Sequence, residues 1–225
     1  MEQAFIETTN LCKYFIVGKE KITALENVNI KIQRGQICCI LGTSGSGKST
    51  LLNMLAGLEK PSFGKVKIGK YQIDKFDEKQ LALFRQKFTG FVFQSYNLIP
   101  SLTAVENVAM PLMFKGVDKA KREREALKML KLVGLENRSN HKPAEMSGGQ
   151  QQRVGIARAF VGDPAVIFAD EPTGNLDSKT TKEVMELITE TVHKNNQTMV
   201  LVTHDSSVAE YADVIYKIID GKVAE

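Results

Sequence analysis

A chain of 225 residues, 43% hydrophobic and 25% charged, is material for one large folded domain or a core with a subdomain, not for a disordered or fibrous protein. Its formal charge of +4 is too small to argue for nucleic acid, and three cysteines without metal-ligand spacing fit a reducing compartment rather than zinc or disulfides. No apolar run reaches the ~18–20 residues that span a bilayer, and the start, MEQAFIETTN, lacks the basic-then-apolar pattern of a signal, so the chain is expected in the cytoplasm.

In chain order, Phe5–Leu11 and Ile22–Ile32 read as strands, the second with Val28, Ile30 and Ile32 on one face. Between them stand Tyr14, Phe15 and a turn at Gly18. An aromatic here can stack on a purine base, although periodicity alone favours a core aromatic. Ile37–Leu41 is an apolar strand, with Cys38 and Cys39 as core filler.

The nine residues after it, Gly42, Thr43, Ser44, Gly45, Ser46, Gly47, Lys48, Ser49 and Thr50, carry the spacing G-x-x-x-x-G-K-[ST], and Leu51, Leu52, Met54 and Leu55 open a helix. The chemistry explains the residue types. A triphosphate needs backbone N–H groups wrapped around it, and a Cβ at the glycines would obstruct the wrap. The new helix points its positive dipole end at the anion. Lys48 adds charge for the β- and γ-phosphates, and Ser49 offers a hydroxyl to Mg²⁺. Strand, glycine loop and helix together specify a nucleotide, without saying which one or to what end.

The helix ends near Gly57, a strand follows at Lys65–Ile68, and Glu78–Lys87 reads as a helix with Leu81 and Phe84 inward. Gly90–Phe93 is a strand closed by Gln94, whose amide can reach a metal or a water but by itself reads as a surface group. From Tyr96 to Glu145 the character changes, interrupted by Pro100, Pro111 and Pro143. Its clear segment is a helix over Lys119–Val133, with Ala126, Leu127, Leu130 and Val133 as the apolar face and Lys119, Lys121, Arg122 and Arg124 as a solvated basic start. The block reads as a helical insertion into an α/β core.

Met146–Gln152 then starts a helix running to about Val161, with Ser147 as N-cap. The glycines Gly148 and Gly149 ahead of Gln150 make either an anion-binding nest or simply a well-capped helix. Ala165–Ala169 is wholly apolar, as in a strand buried on both faces of a parallel sheet, and ends in Asp170 and Glu171. Ligands bind at that end of such sheets. Asp170 is therefore assigned to Mg²⁺ through a water, and Glu171 to activation of the attacking water. After a helix at Ser178–Val192, the strand Met199–Val202 is closed by His204, in the position matching Asp170; His141 and His193 lie in polar surroundings. Val214–Ile219 is the last strand, before a turn at Asp220–Gly221.

Taken together, the set resembles the nucleotide-binding subunits of the ATP-binding cassette (ABC) family. Gly42–Thr50 matches the phosphate loop, Gln94 the glutamine loop, and Met146–Gln150 the signature motif, with Met146 where leucine is usual. Ala165–Glu171 matches the second nucleotide motif with its glutamate, Asn175–Leu176–Asp177 the dimer-facing loop, and His204 the switch histidine. The order and spacings fit across essentially the whole chain. Phe15 aligns with the family's base-stacking aromatic, where tyrosine is more usual. Phe91–Pro100, Leu102–Pro111 and Ala169–Asp177 look like the lipoprotein-release and macrolide-export branch, whose permeases have few transmembrane helices and large external domains.

The resemblance implies an α/β P-loop NTPase with a parallel-sheet core, an antiparallel β subdomain near the N-terminus, and a helical signature subdomain. The expected division is 1–94 and 161–225 for the core and 95–160 for the helices. It implies a head-to-tail dimer around two ATP and Mg²⁺. Lys48, Ser49, Gln94, Asp170, Glu171 and His204 act within one copy, and Ser147, Gly148, Gly149 and Gln150 act on the other. A permease at the cytoplasmic face of the membrane is the implied partner. A soluble ABC ATPase acting on ribosomes or DNA is the rival, but such proteins usually carry two cassettes or a long coiled coil, and this chain has one cassette and no heptad run. A regulatory module without hydrolysis is the other, and Glu171 argues against it.

Overall fold

The computed structural model describes residues 4–224; residues 1–3 of the start read above for a signal lie outside them. The chain opens with three antiparallel strands, β1 (Ile6–Val17), β2 (Glu20–Val28) and β3 (Lys31–Ile32), then β4 (Ile37–Leu41) and α1 (Lys48–Leu55). After β5 (Phe63–Ile68), β6 (Tyr71–Gln72), α2 (Glu78–Phe88) and β7 (Thr89–Phe93) come three helices, α3 (Ala104–Phe114), α4 (Lys119–Leu132) and α5 (Gly148–Phe160). The remainder is β8 (Val166–Asp170), α6 (Ser178–Lys194), β9 (Thr198–Thr203), α7 (Ser206–Ala209), β10 (Val214–Ile219) and β11 (Lys222–Ala224).

Two sheets result. One is antiparallel, in the order β2-β1-β5-β6 with β3 also paired to β1. The other runs β11-β10-β4-β9-β8-β7, parallel except for the antiparallel edge strand β11. The central strands are apolar between their ends, over 37–41, 166–169 and 199–202, because both faces are covered. Alternate residues make the division visible. Cys39, Ile167, Ala169, Met199 and Leu201 join one hydrophobic cluster with α3, α4, α5 and α6. Cys38, Ile40, Val166, Phe168, Val200 and Val202 join another with α1 and the antiparallel sheet. Burial pushes the Cys39 thiol up to about 12 and raises Cys38 further, so both act as small apolar groups. The helical block lies between β7 and β8, which are neighbours in the sheet.

Several expectations need correction. The strand expected over Ile22–Ile32 is two, because Asn27 turns the chain at φ +53° and the Asn29 side chain fixes the turn, donating to the Asn27 carbonyl and accepting from the Asn10 N–H of β1. β1 runs on past Leu11 to Val17, carrying Tyr14 and Phe15 into a hairpin turned at Gly18. On the helix at Lys119–Leu132, Ala126 and Leu130 face the core while Leu127 is exposed. The proline-interrupted stretch hides α3, which runs through Pro111. It starts at a capping box, Thr103 with Glu106, and its buried Asn107 braces the preceding loop through bonds to Ile99, Leu102 and Thr103.

Candidate active site

The parallel strands end together on one edge: Leu41 beside Thr203 and Lys217, and Asp170 beside Val202 and Phe93. From Leu41 the chain turns through Gly45 and Gly47, both at positive φ (79° and 103°), into α1. A Cβ on Gly47 would stand 2.5 Å from the Ala24 carbonyl oxygen and 2.9 Å from the Leu25 side chain, so β2 presses directly on the loop. Lys48, 6% exposed, donates to the Thr43 carbonyl at 2.8 Å and has no carboxylate partner among the described residues. Its other donors remain available. The Ser46 hydroxyl is buried with no partner among the described residues. A buried cation, an orphaned hydroxyl and the N-terminal N–H groups of α1 fit the oxygens of a phosphate chain.

The carboxylates face this loop. The Ser49 hydroxyl donates to Asp170 Oδ1 at 3.3 Å. Burial raises the Asp170 pKa and the neighbouring Glu171 adds to the rise, while the Ser49 bond and Lys48 oppose it. Glu171 adopts φ +43°, an uncommon backbone for glutamate, and its Oε1 lies 2.9 Å from His204 Nδ1. At the end of β7 the Gln94 carbonyl accepts from Asn175 Nδ2 at 2.9 Å. A Cβ on Gly174 would meet the Gln94 amide nitrogen at 2.7 Å and Glu171 Oε2 at 3.3 Å, so both side chains pack close against that glycine.

Gly42, Thr43, Ser44, Ser49, Gln94, Asp170, Glu171 and His204 line one cleft of about 860 Å³. Lys217, Ile219 and Ser206 also line it. Sequence reasoning passed over these three. The parallel pairing of Leu41 with Lys217 and with Thr203 brings β10 and the start of α7 there, and no local motif carries that information.

Ser147, Gly148, Gly149 and Gln150 do not line this cleft. They form the start of α5, where the Ser147 hydroxyl accepts from the Gln150 N–H at 3.3 Å and the Gln150 side chain accepts from the Ser147 N–H at 3.0 Å. Phe15 lies outside the cleft lining too. It is 37% exposed on β1 opposite Ile22, with the Lys13 ammonium 5.1 Å from its ring centre, so it is not a core aromatic.

The family model described as ABC transporter matches residues 25–174. The chain belongs to the ABC transporter family. The chain is 43% identical to the lipoprotein-releasing system ATP-binding protein LolD of Syntrophotalea carbinolica, covering 98% of this chain and 97% of that one. It is 44% identical to the macrolide export ATP-binding/permease protein MacB of Vibrio parahaemolyticus over 99% of its own length but 34% of the relative. Among solved structures, the dimeric ATP-binding cassette MJ0796, in a post-hydrolysis state bound to ADP and Pi, superposes with a TM-score of 0.91 at 44% identity, covering 98% of this chain and 97% of that one. This ABC cassette has the α/β fold of the ABC ATPases, and it is the ATP-binding, ATP-hydrolysing subunit of an ABC transporter.

Proposed function

We propose that two copies of this chain close head-to-tail around two Mg-ATP and drive a permease of the lipoprotein-release and macrolide-export kind. One observation carries the reading. Five side chains suited to phosphate, metal and water, those of Ser49, Gln94, Asp170, Glu171 and His204, line one cleft, while the glycine nest at Ser147–Gly149 stands outside it. That nest has an anion to bind if the phosphate belongs to a second copy. The dimeric state of the MJ0796 cassette supports the same arrangement.

Within one copy, the Gly42–Thr50 backbone and Lys48 bind the β- and γ-phosphates. Ser49, Asp170 and Gln94 would hold Mg²⁺, which supplies charge neutralisation at those oxygens. Glu171 accepts the proton of the attacking water. Its Oε1 is tied to His204, which leaves Oε2 for that water. The exposed Phe15 ring stacks on adenine. Ser147, Gly148, Gly149 and Gln150 of the partner complete the γ-phosphate shell.

The core, 1–94 and 161–225, and the helical subdomain, 95–160, move relative to one another as the dimer closes. Between α2, β7 and α3 lies a second cleft of about 700 Å³, with apolar walls at Leu83, Phe91, Pro111 and Phe114. It suits a cytoplasmic segment of the permease. The permease is the proposed means of membrane attachment; among the described residues no helix is long and apolar enough to cross a membrane. Its architecture, few helices and a large external domain, follows from the branch.

Glu171→Gln tests the chemistry. The amide keeps the shape and loses the base, so the variant should bind ATP, accumulate a dimer by light scattering, and lose about 10²–10⁴ in turnover. Wild-type hydrolysis would assign the base elsewhere.

A further inference from the structure

Two residues after Gln94 the backbone enters an uncommon conformation. Tyr96 and Asn97 both have positive φ (60° and 48°), and a left-handed tyrosine is a costly occupant that the surroundings must hold in place. The holder is Arg158, in the last turn of α5. Its guanidinium donates from Nη1 to the Asn97 carbonyl at 2.5 Å and from Nη2 to the Tyr96 carbonyl at 2.8 Å. The residue is 8% exposed and has no carboxylate partner among the described residues. Burial lowers its pKa, a sign of how far the cation has left water. A buried cation held only by backbone carbonyls is expensive, and the two adjacent left-handed carbonyls match the planar fork of arginine in a way that the point charge of lysine cannot.

The other end of α5 touches the same turn. A Cβ on Gly148 would meet the Tyr96 hydroxyl at 2.8 Å, so the tyrosine ring lies at the head of the helix while Arg158 grips its backbone from the tail. We infer that Arg158 is a positioning residue for Gln94, clamping the turn after it to α5 so that the glutamine's place in the cleft follows the position of that helix. This rests on the role proposed for Gln94. It gives the helix that presents Ser147–Gly149 to a partner a hold, through the turn at Tyr96 and Asn97, on a residue of its own chain's cleft. Asn175 also holds Gln94, donating from Nδ2 to its carbonyl.

A double-mutant cycle in the full chain tests the clamp. Arg158→Lys should lower kcat by about tenfold or more and leave KM for ATP within about twofold, because Gly42–Thr50 is untouched. In a Gln94→Ala background the same substitution should change kcat by less than about twofold. Equal losses in both backgrounds, or a loss of ATP affinity matching the loss of kcat, overturn the clamp. If Gln94→Ala alone keeps the wild-type kcat, the role of Gln94 falls first and the clamp with it. Should the lysine variant fail to fold, Arg158→Gln, which keeps an N–H donor without the buried charge, goes through the same cycle. Failure of both to fold assigns Arg158 to stability alone and overturns the proposal.

Discussion

Lys48 and Asp170 sit side by side in the site's electrostatics and should respond to substitution in opposite ways. Lys48 is a buried cation with one carbonyl as its hydrogen-bond partner among the described residues, so its remaining donors are free for the proposed anion. Lys48→Ala should weaken ATP binding and reduce turnover by about 10²–10³ or more, the scale of losing a preorganised donor to developing charge. Titration calorimetry with ATP showing wild-type affinity would remove the lysine from the site. Asp170 has its pKa raised by burial, so the folded chain holds that proton more tightly than the unfolded chain. The resulting contribution to stability is full below the unfolded pKa and lost as pH rises through the folded value. At neutral pH the bare carboxylate therefore works against the nucleotide-free fold. Asp170→Asn should raise the unfolding midpoint of the nucleotide-free protein at pH 7, abolish hydrolysis, and lose its stability advantage below about pH 4. Chemical denaturation at the two pH values, without nucleotide, checks the sign. A destabilised amide variant at pH 7 would contradict it.

At the scale of elements, α5 is tied to the sheet as tightly as to the glutamine turn. A Cβ on Gly90 of β7 would lie 2.2 Å from the Ala159 carbonyl oxygen and 3.0 Å from its carbon. Backbone cannot give way as a side-chain tip can, so Gly90→Ala should cost about 1–3 kcal/mol of stability, read from urea unfolding. A loss below about 0.5 kcal/mol, the range of an ordinary surface change, would mean that the helix shifts freely. Which elements the sequence disclosed follows from similar local physics. β4, β8 and β9 are legible because strands buried on both faces read as continuous apolar runs, interrupted by polar residues only at the ends of β8 and β9. The residues at their ends, Asp170, Glu171 and His204, were legible with them, since polar groups closing such runs stand at the ligand-binding edge. α3 was not, because Pro111 reads as a breaker; the Thr103–Glu106 capping box was the signal that outweighed it. Leu127 is apolar yet solvent-facing, since α4 turns Ala126, Leu130 and the C-cap residue Val133 to the core and leaves Leu127 outside that face. Lys217 and the Arg158 clamp are long-range facts of topology, invisible to any window of sequence.

For the whole molecule, the question is whether a site is complete in one copy. Ser147→Arg puts bulk at the nest while leaving Gly42–Thr50 untouched, so ATP binding to a monomer should survive while closure and hydrolysis fail. Mixing it with Lys48→Ala separates the models. Both lesions then fall on one composite site, and the other site is assembled from two intact halves. Recovered hydrolysis from two inactive variants establishes a shared site, measured as phosphate release against mixing ratio. Full activity of Ser147→Arg as a proven monomer refutes it.

The order of strands in the parallel sheet also has a bearing on biosynthesis. β4, which leads into the phosphate loop, ends at Leu41, yet its neighbours on either side are β9 and β10, from the far end of the chain. A ribosome must add roughly 160 residues after β4, about 10–30 s of synthesis, before the first of those neighbours exists. Until then the loop has no seat. The nascent chain passes through translation with its glycine loop made but unable to take up nucleotide, and its apolar strand without partners. Long-range pairing of this kind folds slowly and leaves apolar surface open to aggregation meanwhile. Nucleotide capture therefore waits for the synthesis of β9 and β10, and a product released short of β9 would be an aggregation hazard rather than a weak ATPase.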